Sequence, residues 1–161
     1  MLAVAPLVGT TPRTVKRFVN TYRLLKARAD DPAEFGRLQG SIGDHEVVAF
    51  LLAVVTGRPT VYQRLLPALV CAPDRQTLQP VLAALAPPAP SPPLPDPPSP
   101  LAPDPAGAAD PALGDVLSWL ARYPRYANAP AHRYAKWAMK VARFSFTPTT
   151  ADVIRAATPP R

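Results

Sequence analysis

The stretch TPRTVKRFVNTYRLLKAR, residues 11–28, decides what kind of chain this is. Val15, Phe18, Val19, Tyr22 and Leu25 recur at the i, i+3, i+4, i+7 spacing of one buried helical face. Its start is marked three ways. Thr11 offers an N-cap oxygen, Pro12 suits the first helical position where no N–H partner is lost, and a proline pushes the residue before it out of the α region. Gly9, Thr10 and Thr11 therefore read as a turn that delivers the chain into the cap. Between Met1 and Arg28 there are six basic residues and no acidic one. Arg13, Arg17 and Asn20 fall on one side of the helix, and Lys16, Asn20 and Arg23 make an overlapping row, away from Val15, Phe18 and Tyr22.

Outward from this helix the punctuation continues to favour helices. Asp30 to Gly43 is rich in Asp, Pro and Gly, which predicts a loop or a short helical turn. A second helix is expected from about Asp44, with Glu46 in its first turn, Gly57 just past its end and Pro59 beyond. Thr60 to Cys71 reads as a third helix weakened or kinked by Pro67, and Asp74 as the cap of a fourth reaching Leu85. Further on, Pro111 to Tyr123 has Leu113, Val116, Leu117 and Leu120 at inward spacing. Pro130 to Arg143 places Tyr134, Trp137, Ala138, Val141 and Ala142 on one face and Arg133, Lys136, Lys140 and Arg143 on a basic one. Thr150 is expected to cap a last turn through Ala156. No alternating strand pattern stands out, and no internal repeat.

Proline divides the chain. Of its 24 prolines, eleven fall between Pro87 and Pro105, in a run that can only be extended polyproline or disordered linker. The expected architecture is mainly α: a small helical bundle in two segments, residues 1–86 and 112–161, joined by a disordered Pro-rich linker at 87–111. Each segment alone would have a marginal core, so docking across the linker is expected. Residues 1–86 carry ten basic and six acidic groups, and residues 112–161 carry eight and two. A basic surface on both parts points to an anionic partner, whether nucleotide, nucleic acid or lipid headgroup. Cys71, the sole cysteine, excludes a disulfide within the chain, points to a reducing compartment and reads as an inert core thiol. The longest apolar run, Val47 to Val55, is too short to span a bilayer and suits a buried helix, and no basic n-region precedes the apolar N-terminus.

Candidate chemistry concentrates in the first helix. An arginine at position 13 can join the positive helix end in holding an anion, and a guanidinium takes phosphoryl oxygens bidentately. On spacing alone the same cations also describe the ordinary solvated side of an amphipathic helix. His45 and His132 have no ligand-spaced Cys or carboxylate pairs, so a zinc site is not supported, and His45 between Asp44 and Glu46 reads as helix-start solvation. Tyr123, Arg125, Tyr126, Tyr134, Lys136 and Trp137 could stack and pair with single-stranded nucleic acid, or simply pack with a solvated basic side. A membrane-surface role for the same helix is a further alternative.

The segment PRTVKRFVNTYRLLKA resembles the C-terminal lid region of KAP-type P-loop NTPases, where a proline-arginine turn opens a helix of the form K-R-F-x-N-x-Y-R. WAMKVARFSF, residues 137–146, is similar to the closing segment of bacterial members. The resemblance implies that Arg13 senses nucleotide, with Lys16, Arg17 and Asn20 as neighbours, and that the partner is a P-loop core or a membrane-associated complex. It implies a cytoplasmic location, in places at the membrane periphery. The chain holds no G-x-x-x-x-G-K-[S/T] and no strand ending in a Walker-B acid. No cofactor is therefore expected on the chain alone, ATP only with a core supplied in trans, and no hydrolysis by the chain itself. With Met1 a few residues before the lid motif, a truncated frame, a split gene or a misassigned start is expected.

Overall fold

The computed structural model describes residues 2–27, 38–39, 42–86 and 110–143. The fold is mainly helical, as expected. A 3₁₀ turn at Leu2–Val4 leads into the short α1 (Ala5–Val8), followed by α2 (Pro12–Ala27). Two-residue strands, β1 (Leu38–Gln39) and β2 (Ile42–Gly43), pair antiparallel, with Leu38 opposite Gly43 and Gln39 opposite Ile42. They lie where a loop or helical turn was expected. Then come α3 (Asp44–Gly57), α4 (Pro59–Val70) and α5 (Leu78–Ala83), and after the linker α6 (Pro111–Arg122), α7 (Pro124–Ala127) and α8 (Ala131–Ala142). The linker expected at 87–111 lies outside the described residues save its end. Asp110 caps α6 by accepting from the Ala112 N–H at 3.0 Å, and Pro111 is the first helical residue. The turn expected from Thr150 also lies outside them, as do residues 144–146 of the second resemblance.

Helix α3 is the axis of the bundle. Every residue from Val47 to Val54 is buried, so it has no polar face; it packs against α1, α2, α4 and α8. A helix apolar all round is stable only when enclosed. Glu46 closes its start, accepting from the Gly43 N–H at 3.2 Å and pairing with Arg125 at 2.7 Å. Gly57 at its end permits α1 to touch: a Cβ there would stand 1.9 Å from the Leu7 carbonyl oxygen. Helix α4 runs on through Pro67, which faces solvent, where water can satisfy the carbonyl that proline leaves unpaired. Helix α5 begins at Leu78, later than the Asp74 cap expected. Its start is set instead by pairing with the distant stretch before α8: the Leu78 N–H donates to the Ala129 carbonyl at 3.1 Å, and the Ala131 N–H to the Gln76 carbonyl at 2.7 Å.

Both segments contribute to one core, from Val4 to Ala142. Phe50 of α3 meets Trp119 of α6, Tyr126 of α7 and Tyr134 of α8, with centroids 5.4, 6.1 and 5.7 Å away. Three aromatic polar atoms carried inward find backbone partners. The Tyr62 hydroxyl donates to the Ala138 carbonyl and the Tyr134 hydroxyl to the Tyr126 carbonyl, each at 2.8 Å, and the Trp119 indole N–H donates to the Ala3 carbonyl at 2.6 Å. Burial raises both phenols well above their ordinary range. At the edges of the linker, Arg64 donates to the Leu85 carbonyl and lies 3.6 Å from Asp110, so one guanidinium holds the chain where it leaves and where it returns.

Three expectations are corrected. Arg133, assigned to a solvated basic face, is only 8% exposed; it pairs with Asp44 at 2.5 Å and donates to the Ile42 carbonyl at 2.6 Å. A charge so deep is tolerable because its partner is equally buried and its second amino group donates to a backbone carbonyl. Val15, placed on the buried stripe, is 44% exposed, since α1 is too short to cover it. Cys71, read as a core thiol, is exposed where α4 ends.

Candidate functional site

The face expected to carry function is the outer side of α2. Gly9 makes the entry turn with φ of +91°, a conformation that costs a glycine little. Thr11 then caps the helix: its hydroxyl oxygen accepts from the Thr14 N–H at 3.2 Å, while the Thr14 hydroxyl donates back to the Thr11 carbonyl at 2.7 Å. This reciprocal pair fixes the first turn, on which Arg13 is exposed.

Arg13, Lys16, Arg17 and Asn20 are all exposed, as are Arg23 and Lys26, and α2 contains no acid. The helix thus brings the four expected site residues to solvent on its outer half, while Phe18 and Leu25 hold it to the core. The N-terminus itself offers less to an anion than expected. Pro12 has no N–H and that of Thr14 is taken by Thr11, so an anion at the first turn would depend chiefly on side chains. Arg13 and Arg17 can supply forked donors, Lys16 a point charge, and Asn20 an amide that serves sugar or base edges as readily as phosphate.

The second basic-aromatic region fares differently. Tyr126, Tyr134 and Trp137 are at most 4% exposed, so they have no free faces on which bases could stack. Lys136 and Lys140 lie over the Trp137 ring, 5.8 and 5.0 Å from its centroid. Packing is the role of these rings. Among the described residues no group of three His, Cys, Asp or Glu side chains could hold a metal ion. His132 lies 3.2 Å from the Asp74 carbonyl oxygen, and the half-buried His45 keeps its Nδ1 inside without a hydrogen-bond partner.

Two features escaped the sequence reading. One is a recess of about 260 Å³ between α1, the end of α3 and α6, lined by Leu7, Arg58, Asp115, Trp119, Arg122 and Tyr123. Arg58 bonds Asp115 there through Nη2 at 2.8 Å and Nε at 3.2 Å, a pair 57 residues apart that no local pattern announces. The other is an apolar groove of about 250 Å³ between α1 and α2, which includes the exposed Val15. Its only sequence signal is that the apolar stripe of α2 is wider than four residues of α1 can cover.

No protein-family model, curated protein or solved structure matches the chain. No helix among the described residues is long and apolar enough to cross a membrane.

Proposed function

We propose that the chain is a helical lid-type module that presents Arg13, Lys16, Arg17 and Asn20 to the phosphates of a nucleotide held by a separate P-loop core. It does not hydrolyse ATP by itself in this scheme, because its sequence has neither the G-x-x-x-x-G-K-[S/T] cradle with its own lysine nor a Walker-B acid to hold the β- and γ-phosphates and Mg²⁺. The observation that carries the reading is the exposed outer side of α2, cationic and free of acids, positioned by the Thr11 cap. Arg13 is the sensor in this scheme, with Lys16, Arg17 and Asn20 beside it. The partner is a P-loop core or a membrane-associated complex that contains one, in the cytoplasm and at the membrane periphery.

A second reading, a basic helical interaction module for nucleic acid or a protein partner, is favoured on its nucleic-acid side by one dimension. The cations run from Arg13 to Lys26, roughly 20 Å along the axis, which is longer than a triphosphate and suits a run of backbone phosphates. Labelled ATP, single-stranded DNA and duplex DNA titrated over a salt series separate the two. On the lid reading ATP binds the chain weakly and gains affinity when a P-loop core is added, and Arg13→Ala abolishes that gain with the helical signal unchanged. Tight, steeply salt-dependent DNA binding with no response to ATP sinks the lid reading and supports the second.

A further inference from the structure

We infer that the groove between α1 and α2 is a docking site for an acidic peptide segment that inserts one aliphatic or aromatic side chain between the two helices. The floor consists of Val4, Ala5, Val8, Val15, Phe18 and Val19, with Gly9 at the turn, and holds no charged group. At about 250 Å³ it lies below the roughly 300 Å³ at which small-molecule pockets begin, and suits a single large side chain. Val15 is the exposed edge of this floor at 44%, an apolar residue at a position that the stripe of α2 would ordinarily bury.

The rim selects the partner by charge. Val15, Val19, Arg23 and Lys26 succeed one another along the same line of α2, and Lys16 flanks that line, so one cation stands beside the apolar floor and two exposed cations continue past its end. No acidic residue occurs from Leu2 to Ala27 to balance them. A second copy of the chain is disfavoured as occupant by its net charge of +7. Nucleic acid would satisfy the rim and leave the floor wet. An acidic segment with one apolar anchor satisfies both, the anchor supplying affinity by burial and the carboxylates supplying orientation and encounter rate. This surface adjoins the nucleotide-sensing side of the helix and shares Lys16 with it, but its apolar floor is distinct, because Arg13 and Arg17 lie further round α2 than Val15 and Val19.

The test uses the full chain and a labelled glutamate- and aspartate-rich peptide with one central leucine, followed by fluorescence anisotropy. Replacing that leucine by alanine in the peptide weakens binding by about tenfold or more. Val15→Asp in the protein does the same, and Val15→Ala falls between; circular dichroism keeps its helical signal, since residue 15 is already in water. Lys16→Glu weakens the leucine and alanine peptides alike. Arg13→Ala, which disables the sensor of the lid reading, changes peptide affinity by less than about threefold, because one charge outside the rim is screened. Equal affinity for the two peptides, indifference to Val15→Asp, or tighter binding of single-stranded DNA or phosphatidylserine vesicles than of the leucine peptide overturns the inference.

Discussion

Helices α3 and α2 lie against each other, yet they stand in opposite relation to water. From Val47 to Val54 α3 is enclosed, and the rest of the bundle is arranged around it. Helix α2 is longer, but buries only Phe18 and Leu25 fully and presents five cations outward. Length and regularity are thus poor guides to a helix's contribution to stability. Area removed from water decides it, and by that measure α3 supports the fold while α2 is held by it.

The contrast can be broken most forcefully at the centre. Phe50→Ala removes the ring that joins α3 to α6, α7 and α8 and is expected to cost about 4 kcal/mol in denaturant unfolding. Asp44→Ala, at the start of the same helix, leaves Arg133 charged and buried and is expected to cost about 3 kcal/mol; loss of less than about 1 would mean that Arg133 reaches water. The tyrosines around α3 add a pH signature. Burial keeps Tyr62 and Tyr134 protonated, so the folded chain holds these protons to higher pH than the unfolded one. Their contribution is complete below the ordinary phenol value of 10.0 and is lost as pH climbs beyond it, by about 1.4 kcal/mol per pH unit for each. Chemical unfolding followed at alkaline pH would detect this as a falling midpoint.

Changes on α2 are expected to be smaller. Thr11→Ala removes the cap and costs about 1 kcal/mol, read as a lower thermal midpoint. Val15→Ala is expected to change stability by no more than about 0.5 kcal/mol, although a pattern-based reading counts Val15 as core. A large loss at Val15 would show that it is covered in solution and would erase the difference between the two helices.

The limits of several helices were legible because their signals are local. Thr11-Pro12 opens α2, Gly57-Arg58-Pro59 separates α3 from α4, and Pro111 opens α6; each acts through the φ angles and hydrogen bonds of its immediate neighbours. The start of α5 was not legible, because it depends on pairing with Ala129. Arg133 was misplaced for the same kind of reason. On α8 it shares a spacing with Lys136 and Lys140, and its burial rests on partners distant in sequence, Asp44 at 89 residues and the Ile42 carbonyl at 91. Of the candidate site, the four residues on α2 were legible as one exposed row, since a single helix determines their common direction. The groove beside them was not, since its other wall belongs to α1.

The sequence by itself determined that the chain is mainly helical, that proline divides it, and that its first long helix is basic on one side. Those properties follow from residue spacing, backbone restriction and charge, which need no distant partner. Tertiary structure alone decided that both halves enclose α3, that Arg133 goes inside while Val15 stays out, and that α1 stops short of covering α2. Each of these depends on whether another element arrives to exclude water, and burial is a property of the pair.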